Sequence, residues 1–263
     1  MRDIGTNIAK AKPTARELVL CMGINQMRTP NNGMIAASAG FDAIYIDLEH
    51  NPTDLETMAG MCVGALGADV TPIVRLAAGD PGHVSRVLDV GAQGIMAAHV
   101  NSAAEARRIV EAALFRPLGR RSAAGTLASL GYRAMPQAEV NRVVNRETLV
   151  MVMIETEEGL ANVEAIAAVP GIDTLHVGAN DLSVELDLPG EVEHPRLHEA
   201  YARVAAAAKA NGLSMGVGAT GGRRELQARL LQLGVRYLTC GIDVGYVTAG
   251  GRAETSAIRA MPA

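Results

Sequence analysis

The chain has 263 residues, 49% of them hydrophobic, and a formal net charge of −4. That length and apolar content suffice for one large core, and α/β barrels of this size commonly form a single domain. The acidic balance, the 3% aromatic content and the absence of Trp give no electrostatic or stacking basis for binding nucleic acid or a membrane surface.

No apolar run approaches the roughly 20 residues needed to cross a bilayer. Residues 1–16 mix charges with Thr and Pro and lack the apolar stretch of a signal peptide, so a cytoplasmic location is expected. Cys21, Cys62 and Cys240 are odd in number and widely spaced, and read as buried thiols rather than a zinc or redox set.

An apolar strand followed by an amphipathic helix recurs eight times along the chain. The strands read Leu18–Met22, Ala43–His50, Pro72–Leu76, Gly94–Val100, Leu149–Glu155, Thr174–Gly178, Leu213–Val217 and Tyr237–Gly241. Runs such as Leu149–Ile154 are apolar throughout, as parallel strands covered on both faces should be. Between them, Thr53-Asp54-Leu55-Glu56 reads as a capping box, with Leu55, Met58 and Cys62 forming one apolar face. Asp80-Pro81 supplies an N-cap and first turn, and Gly91 a stop. Ser102-Ala103-Ala104-Glu105 is a second capping box, and Pro170, Gly212 and Gly234 end later helices. Eight such units without a break in composition predict an α/β fold, a (β/α)8 TIM barrel forming a single domain over residues 1–263. The stretch 116–147, rich in Gly, Ala and Arg, fits no unit of this pattern.

Barrel enzymes build their sites from the C-terminal ends of the strands. Here those ends carry Glu49, His50, Arg75, His99, Glu155 and Asp181. Glu155 and Asp181 close the fifth and sixth strands, which are neighbours, so their carboxylates can converge. Two carboxylates suit a hard divalent cation that keeps waters or substrate oxygens: Mg2+ or Mn2+, with Co2+ a third candidate. The alternatives are a pair of helix-capping acids or a carboxylate acid/base pair. Lysine occurs only at Lys10 and Lys12, ahead of the first strand, and at Lys209 in a helix, none within reach of the C-terminal rim, which argues against Schiff-base chemistry.

One motif points elsewhere. Gly216-Val217-Gly218-Ala219-Thr220-Gly221 matches the G-x-G-x-x-G pattern after a strand, with Asp243 roughly 20 residues on, and would make the chain an NAD(P)-binding protein. Only one strand follows it, whereas a dinucleotide-binding half needs several.

The stretch Gly40-Phe41-Asp42-Ala43-Ile44-Tyr45-Ile46-Asp47-Leu48-Glu49-His50 resembles the second-strand signature of the HpcH/HpaI aldolase family, the class II metal-dependent pyruvate aldolases. The resemblance continues through Pro72–Arg75, Leu88–Gly91, Met153–Thr156 and Val177–Ser183, and so runs in order along most of the chain. It implies a lyase that cleaves or forms a 4-hydroxy-2-oxo acid through a pyruvate-type enolate. Related activities on the same enolate, oxaloacetate decarboxylation and acyl-CoA lysis, stay open.

In that reading Glu155 and Asp181 hold the metal, and backbone amides near Asn180 and Asp181 help to bind the substrate carboxylate. Arg75 faces the keto oxygen. His50 is the base, supported by Asp47, and Asp89 reaches the His50 of a neighbouring subunit. The resemblance also implies a homohexamer with exchanged C-terminal helices, acting on small 2-oxo acids and aldehydes. The chain departs from the family pattern at Met153, where a Gln often contacts substrate, at His99, a rim position that is commonly apolar and whose role stays unassigned, and at Leu20-Cys21-Met22, where a Trp is often found.

Overall fold

The computed structural model describes residues 5–77 and 81–262. In chain order the elements are α1 (Ile8–Thr14), β1 (Val19–Ile24), α2 (Asn32–Ser38), β2 (Ala43–Asp47), α3 (Leu55–Gly67), β3 (Thr71–Leu76), α4 (Pro81–Asp89), β4 (Gly94–Ala97) and α5 (Ala103–Ala113). A short 3-10 turn at Ala128–Leu130 precedes α6 (Gln137–Glu147), β5 (Leu149–Ile154), α7 (Glu157–Ala161), α8 (Val163–Ala167) and β6 (Thr174–Val177). The rest are α9 (Ala179–Glu185), α10 (Pro195–Ala210), β7 (Ser214–Val217), α11 (Arg224–Gln232), β8 (Tyr237–Ile242) and α12 (Asp243–Arg259).

The eight strands pair in parallel and in sequence order, and β1 closes on β8, so the sheet is the expected barrel. Side chains alternate across each strand. Ile44 and Ile46 of β2, and Val150, Val152 and Ile154 of β5, face the helix layer and join its large core. Ala43 and Tyr45, Leu149, Met151 and Met153 face the barrel axis with Met96 and Tyr237. Each large apolar side chain withdrawn from water on either face contributes roughly 1.5–3 kcal/mol.

The same alternation carries on past the apolar residues. Asp47 is the next inward position after Tyr45, Arg75 the next after Ile73, and Glu155 the next after Met153. A polar group therefore crowns each of three inward-facing columns at the C-terminal mouth.

The N-terminal mouth is plugged. Ala9 of α1 packs among the inward residues, and the buried Asn7 donates through Nδ2 to Gln93 O (2.9 Å) and Glu147 O (2.8 Å). Lys10 is held here by Asp173 and Lys12 by Asp42, while Lys209 borders the same end of the barrel. All three lysines are thus remote from the catalytic mouth of a barrel, as their sequence positions suggested.

The stretch 116–147 folds over this end too. Leu127, Leu130, Val140, Val143 and Val144 form a separate small core with Phe115, and α6 hands the chain directly to β5.

Several local expectations shift; the strand read to Val100, for one, ends at Ala97. The helix expected to start at Thr53 is capped by Asp54, whose carboxylate accepts from Thr57 N (2.8 Å) and Thr57 Oγ1 (2.8 Å). Carboxylate charge at a helix N-terminus and two bonds to one residue favour that position. The strand read to His50 stops at Asp47, whose Oδ1 accepts from Glu49 N (3.0 Å), an Asx-type turn that takes the chain out of the sheet. Ser102 and Glu105 form the expected capping box on α5. Asp80, expected to cap α4, lies outside the described residues. Among the described residues no helix is long and apolar enough to cross a membrane.

Candidate active site

Asp47 is fully buried and organises one side of the mouth. Its carboxylate takes a two-pronged pair from Arg75, Nε at 2.9 Å and Nη2 at 2.8 Å, across the β2–β3 register that sets the two residues opposite each other. It also accepts from Asn51 Nδ2 (2.6 Å) and His50 N (3.4 Å). Burial alone would raise this carboxyl, but the Arg75 guanidinium and the backbone N–H groups hold it below its ordinary range. Arg75 in turn lies over the Tyr45 ring, 5.5 Å from its centroid. The result is a guanidinium locked in orientation that lines the cleft, with Nη1 beside the Glu49 carboxylate.

Glu49 is the residue that strand-end reasoning noticed without giving it a role. Its carboxylate stands 3.4 Å from Arg75 Nη1, 3.6 Å from His50 Nε2 and 3.6 Å from His99 Nε2. The side-chain carboxylate beside the His50 imidazole is therefore Glu49, whereas Asp47 touches His50 through the backbone. His50 itself is 58% exposed, free to meet a substrate from the cleft.

Glu155 is 1% exposed. One oxygen, Oε1, accepts from the His99 backbone N–H at 2.6 Å, while Oε2 is buried with no hydrogen-bond partner. Burial pushes this carboxyl up to about 7, with the nearby Asp181 and Glu49 adding to the rise and the His99 N–H opposing it. His99 presents that N–H because it adopts φ +50, a left-handed conformation that costs a non-glycine residue energy and that the site evidently uses. Its ring also bridges Glu49 and Glu155, 3.7 Å from the latter.

Gly178 is equally specific: a Cβ there would sit 2.1 Å from Glu155 Oε2. Asp181 follows in the first turn of α9.

An unpartnered buried carboxylate oxygen raises the energy of the ionised acid, and a cation beside it would reverse that. Among the described residues no group of three or more His, Cys, Asp or Glu side chains has ligating geometry. By donor type, Glu155 and Asp181 are the residues that could hold a hard ion completing its shell with water and substrate oxygens.

Asn180, Asp181, Met153, Arg75 and His50 line one cleft of about 280 Å3 at this mouth. Asp89 does not join them. It ends α4 at the opposite end of the barrel, where it accepts from the buried Arg121 (2.7 Å). The glycine motif at Gly216 sits on the seventh strand of the closed barrel. Its spacing answers a packing need, since a Cβ on Gly216 would meet His176 Nδ1 at 2.5 Å and one on Gly221 would meet Cys240 O at 2.9 Å.

A closed parallel barrel with polar groups crowning its inward columns has the architecture of a TIM-barrel enzyme. The family model for the HpcH/HpaI aldolase/citrate lyase family matches residues 27–249, and the chain belongs to that family. It is 37% identical to a 4-hydroxy-4-methyl-2-oxoglutarate aldolase of Chaetomium globosum, over 90% of this chain and 89% of that one. It is 33% identical to a 4-hydroxy-2-oxo-heptane-1,7-dioate aldolase of Salmonella typhimurium, covering 83% and 82%. The crystal structure of an HpcH/HpaI aldolase from Desulfitobacterium hafniense superposes with a TM-score of 0.90 at 30% identity, covering 96% of this chain and 97% of that one.

Proposed function

We propose that the chain is a divalent-metal-dependent aldolase that cleaves or forms a 4-hydroxy-2-oxo acid through a pyruvate-type enolate. The observation that carries this reading is Glu155, a buried carboxylate with one oxygen unpartnered, next to Asp181 and in the same mouth as a rigidly oriented Arg75.

Glu155 and Asp181 would hold the ion, Mg2+ or Mn2+ by donor type with Co2+ also compatible. Once bound, it supplies Lewis-acid stabilisation of the charge that develops on the substrate's C2 oxygen. Arg75, pinned by Asp47, adds a second positive group already aimed at that oxygen and needing no reorganisation. Backbone N–H groups at Asn180 and Asp181, at the start of α9 and without intrahelical acceptors, suit the substrate carboxylate.

In the cleavage direction His50 accepts the proton of the C4 hydroxyl. The C3–C4 bond breaks as the C4 carbonyl forms, and its electron pair becomes the C2–C3 double bond of the enolate. A proton delivered to C3 then completes pyruvate. The Glu49 carboxylate stands 3.6 Å from His50 Nε2 and helps to orient the ring.

The oligomeric expectation belongs to the same reading. From Val244 to Met261 the chain is exposed, with Tyr246, Val247, Ile258 and Met261 among the uncovered apolar side chains, as suits an α12 exchanged into a partner within a hexamer. Asp89, paired with Arg121 at the far end of the barrel, could reach the His50 of a neighbouring subunit only in such an assembly. Three free thiols suit a reducing, cytoplasmic setting.

Deuterium exchange into the methyl group of pyruvate, followed by NMR with chelator and then with added Mn2+, tests the enolate reading without knowledge of the aldehyde. Exchange that appears with metal and vanishes with chelator is expected. No exchange with any divalent ion would overturn the proposal.

A further inference from the structure

One part of the cleft is not used by the enolate machinery. The groups given to the metal and the enolate stand on β2, β3 and β5 and at the start of α9. The remaining arc runs over β6, β7, β8 and the end of β1, and its polar side chains are His176, Thr239 and Asn25, all lining the same cleft.

Each of these three presents a buried polar atom without a hydrogen-bond partner: Nδ1 of His176, Oγ1 of Thr239 and Oδ1 of Asn25. His176 is only 2% exposed. Its ring is seated deliberately. Gly216 and Gly218 leave out the Cβ atoms that would come within 2.5 Å of Nδ1 and 3.3 Å of Nε2, and Tyr237 closes edge-on at 5.7 Å. Met153, its register partner on β5, offers no donor.

Buried polar groups are ordinarily paired, and three orphans on one wall of one cleft are what an unfilled hydrogen-bonding subsite looks like. An apolar acceptor would leave the wall unpaired, whereas an oxygenated one offers it hydrogen bonds.

We propose that His176, Thr239 and Asn25 form the subsite for the aldehyde half of the substrate, and that they select an acceptor carrying a neutral oxygen function, a hydroxyl, beside its carbonyl. The inference rests on the aldolase reading above. A neutral acceptor fits because the side chains of this arc are uncharged: burial, with the Arg75 charge adding to it, pushes the His176 imidazole down to about 3, so it is one donor and one acceptor at neutral pH. A second carboxylate would call for a cation, and Arg75, the guanidinium lining the cleft, is already given to Asp47 and the enolate oxygen.

The test is a selectivity ratio with the full-length, Mn2+-loaded protein and pyruvate as donor. Glycolaldehyde and propanal are nearly isosteric and differ by hydroxyl against methyl, and glyoxylate supplies the charged comparison. Wild type is expected to show kcat/KM for glycolaldehyde about tenfold or more above propanal and above glyoxylate.

In His176→Phe the glycolaldehyde-to-propanal ratio falls toward one. Thr239→Val, which keeps shape and loses the hydroxyl, moves the ratio the same way and serves where the ring replacement disturbs the barrel. A general distortion slows both acceptors alike and leaves the ratio unchanged. An unchanged ratio in both variants, or a wild-type preference for glyoxylate or propanal, overturns the inference while the aldolase reading stands. Absence of metal-dependent pyruvate exchange in wild type overturns that reading and this one with it.

Discussion

Replacing Glu155 by Gln tests whether a cation belongs beside it. A carboxyl raised from its ordinary 4.5 to about 7 costs about 3 kcal/mol to ionise in place. In the metal-free protein the folded chain therefore keeps a proton that the unfolded chain has released between pH 4.5 and 7. Stability must then fall as pH rises through that window and stay low above it.

Gln removes the titration and still accepts the His99 N–H. Its amide meets the same partnerless corner that Oε2 occupies, a penalty of about 1–3 kcal/mol. The net gain in metal-free stability at pH 8 is accordingly about 0–2 kcal/mol, shrinking or reversing at pH 5. Mn2+ should stabilise wild type by mass action and leave Glu155→Gln nearly unmoved.

The assay is denaturant unfolding of both proteins at pH 5 and pH 8, with chelator and with Mn2+. The wild-type-minus-variant difference isolates this one group from the others that titrate. Parallel pH profiles, or equal stabilisation of both proteins by Mn2+, would refute the reasoning.

Gly178→Ala inserts a Cβ 2.1 Å from Glu155 Oε2, so the carboxylate must turn away. Affinity for Mn2+, measured by calorimetry, should fall about tenfold or more. His50→Ala should lower metal-dependent pyruvate exchange about a hundredfold to ten-thousandfold while Mn2+ binding is retained; comparable exchange would remove His50 from its role. Arg75→Ala strands the buried Asp47 and should cost about 3–5 kcal/mol in chemical unfolding, along with nearly all exchange. Because Arg75 holds Asp47 below its usual range, the pair's stabilisation is present above about pH 4 and is lost as pH falls through the depressed value. Asp47→Asn should therefore flatten the acid limb of the stability curve, read by thermal unfolding from pH 2 to 6.

Much of this was legible in the order of residues. Eight apolar strands alternating with capped helices specify a closed parallel barrel, because strands covered on both faces need a helix after each. Glu155 and Asp181 could be assigned to one rim because consecutive strands of such a barrel are neighbours. The three lysines could be set aside by position alone.

What remained hidden depends on which face of each strand turns inward. A run such as Leu149–Ile154 is apolar on both sides, so nothing in it says that Met153 and Glu155 face the axis while Ile154 faces the helices. That parity comes from the register of the closed sheet. It also brings Arg75 opposite Asp47 and His176 opposite Met153, and it turns a glycine motif that resembles a nucleotide loop into the space for one imidazole.

The gathering of Glu49, His50, His99 and Arg75 likewise needed the Asp47–Arg75 pair across two strands and the left-handed residue at position 99, whose N–H bonds Glu155 far along the chain. Residues 116–147 stayed unplaced for the same reason: Val140, Val143 and Val144 find their partners only in the underside of a barrel already formed. Local pattern determines the elements and their order. Closure of the sheet decides which side chains meet.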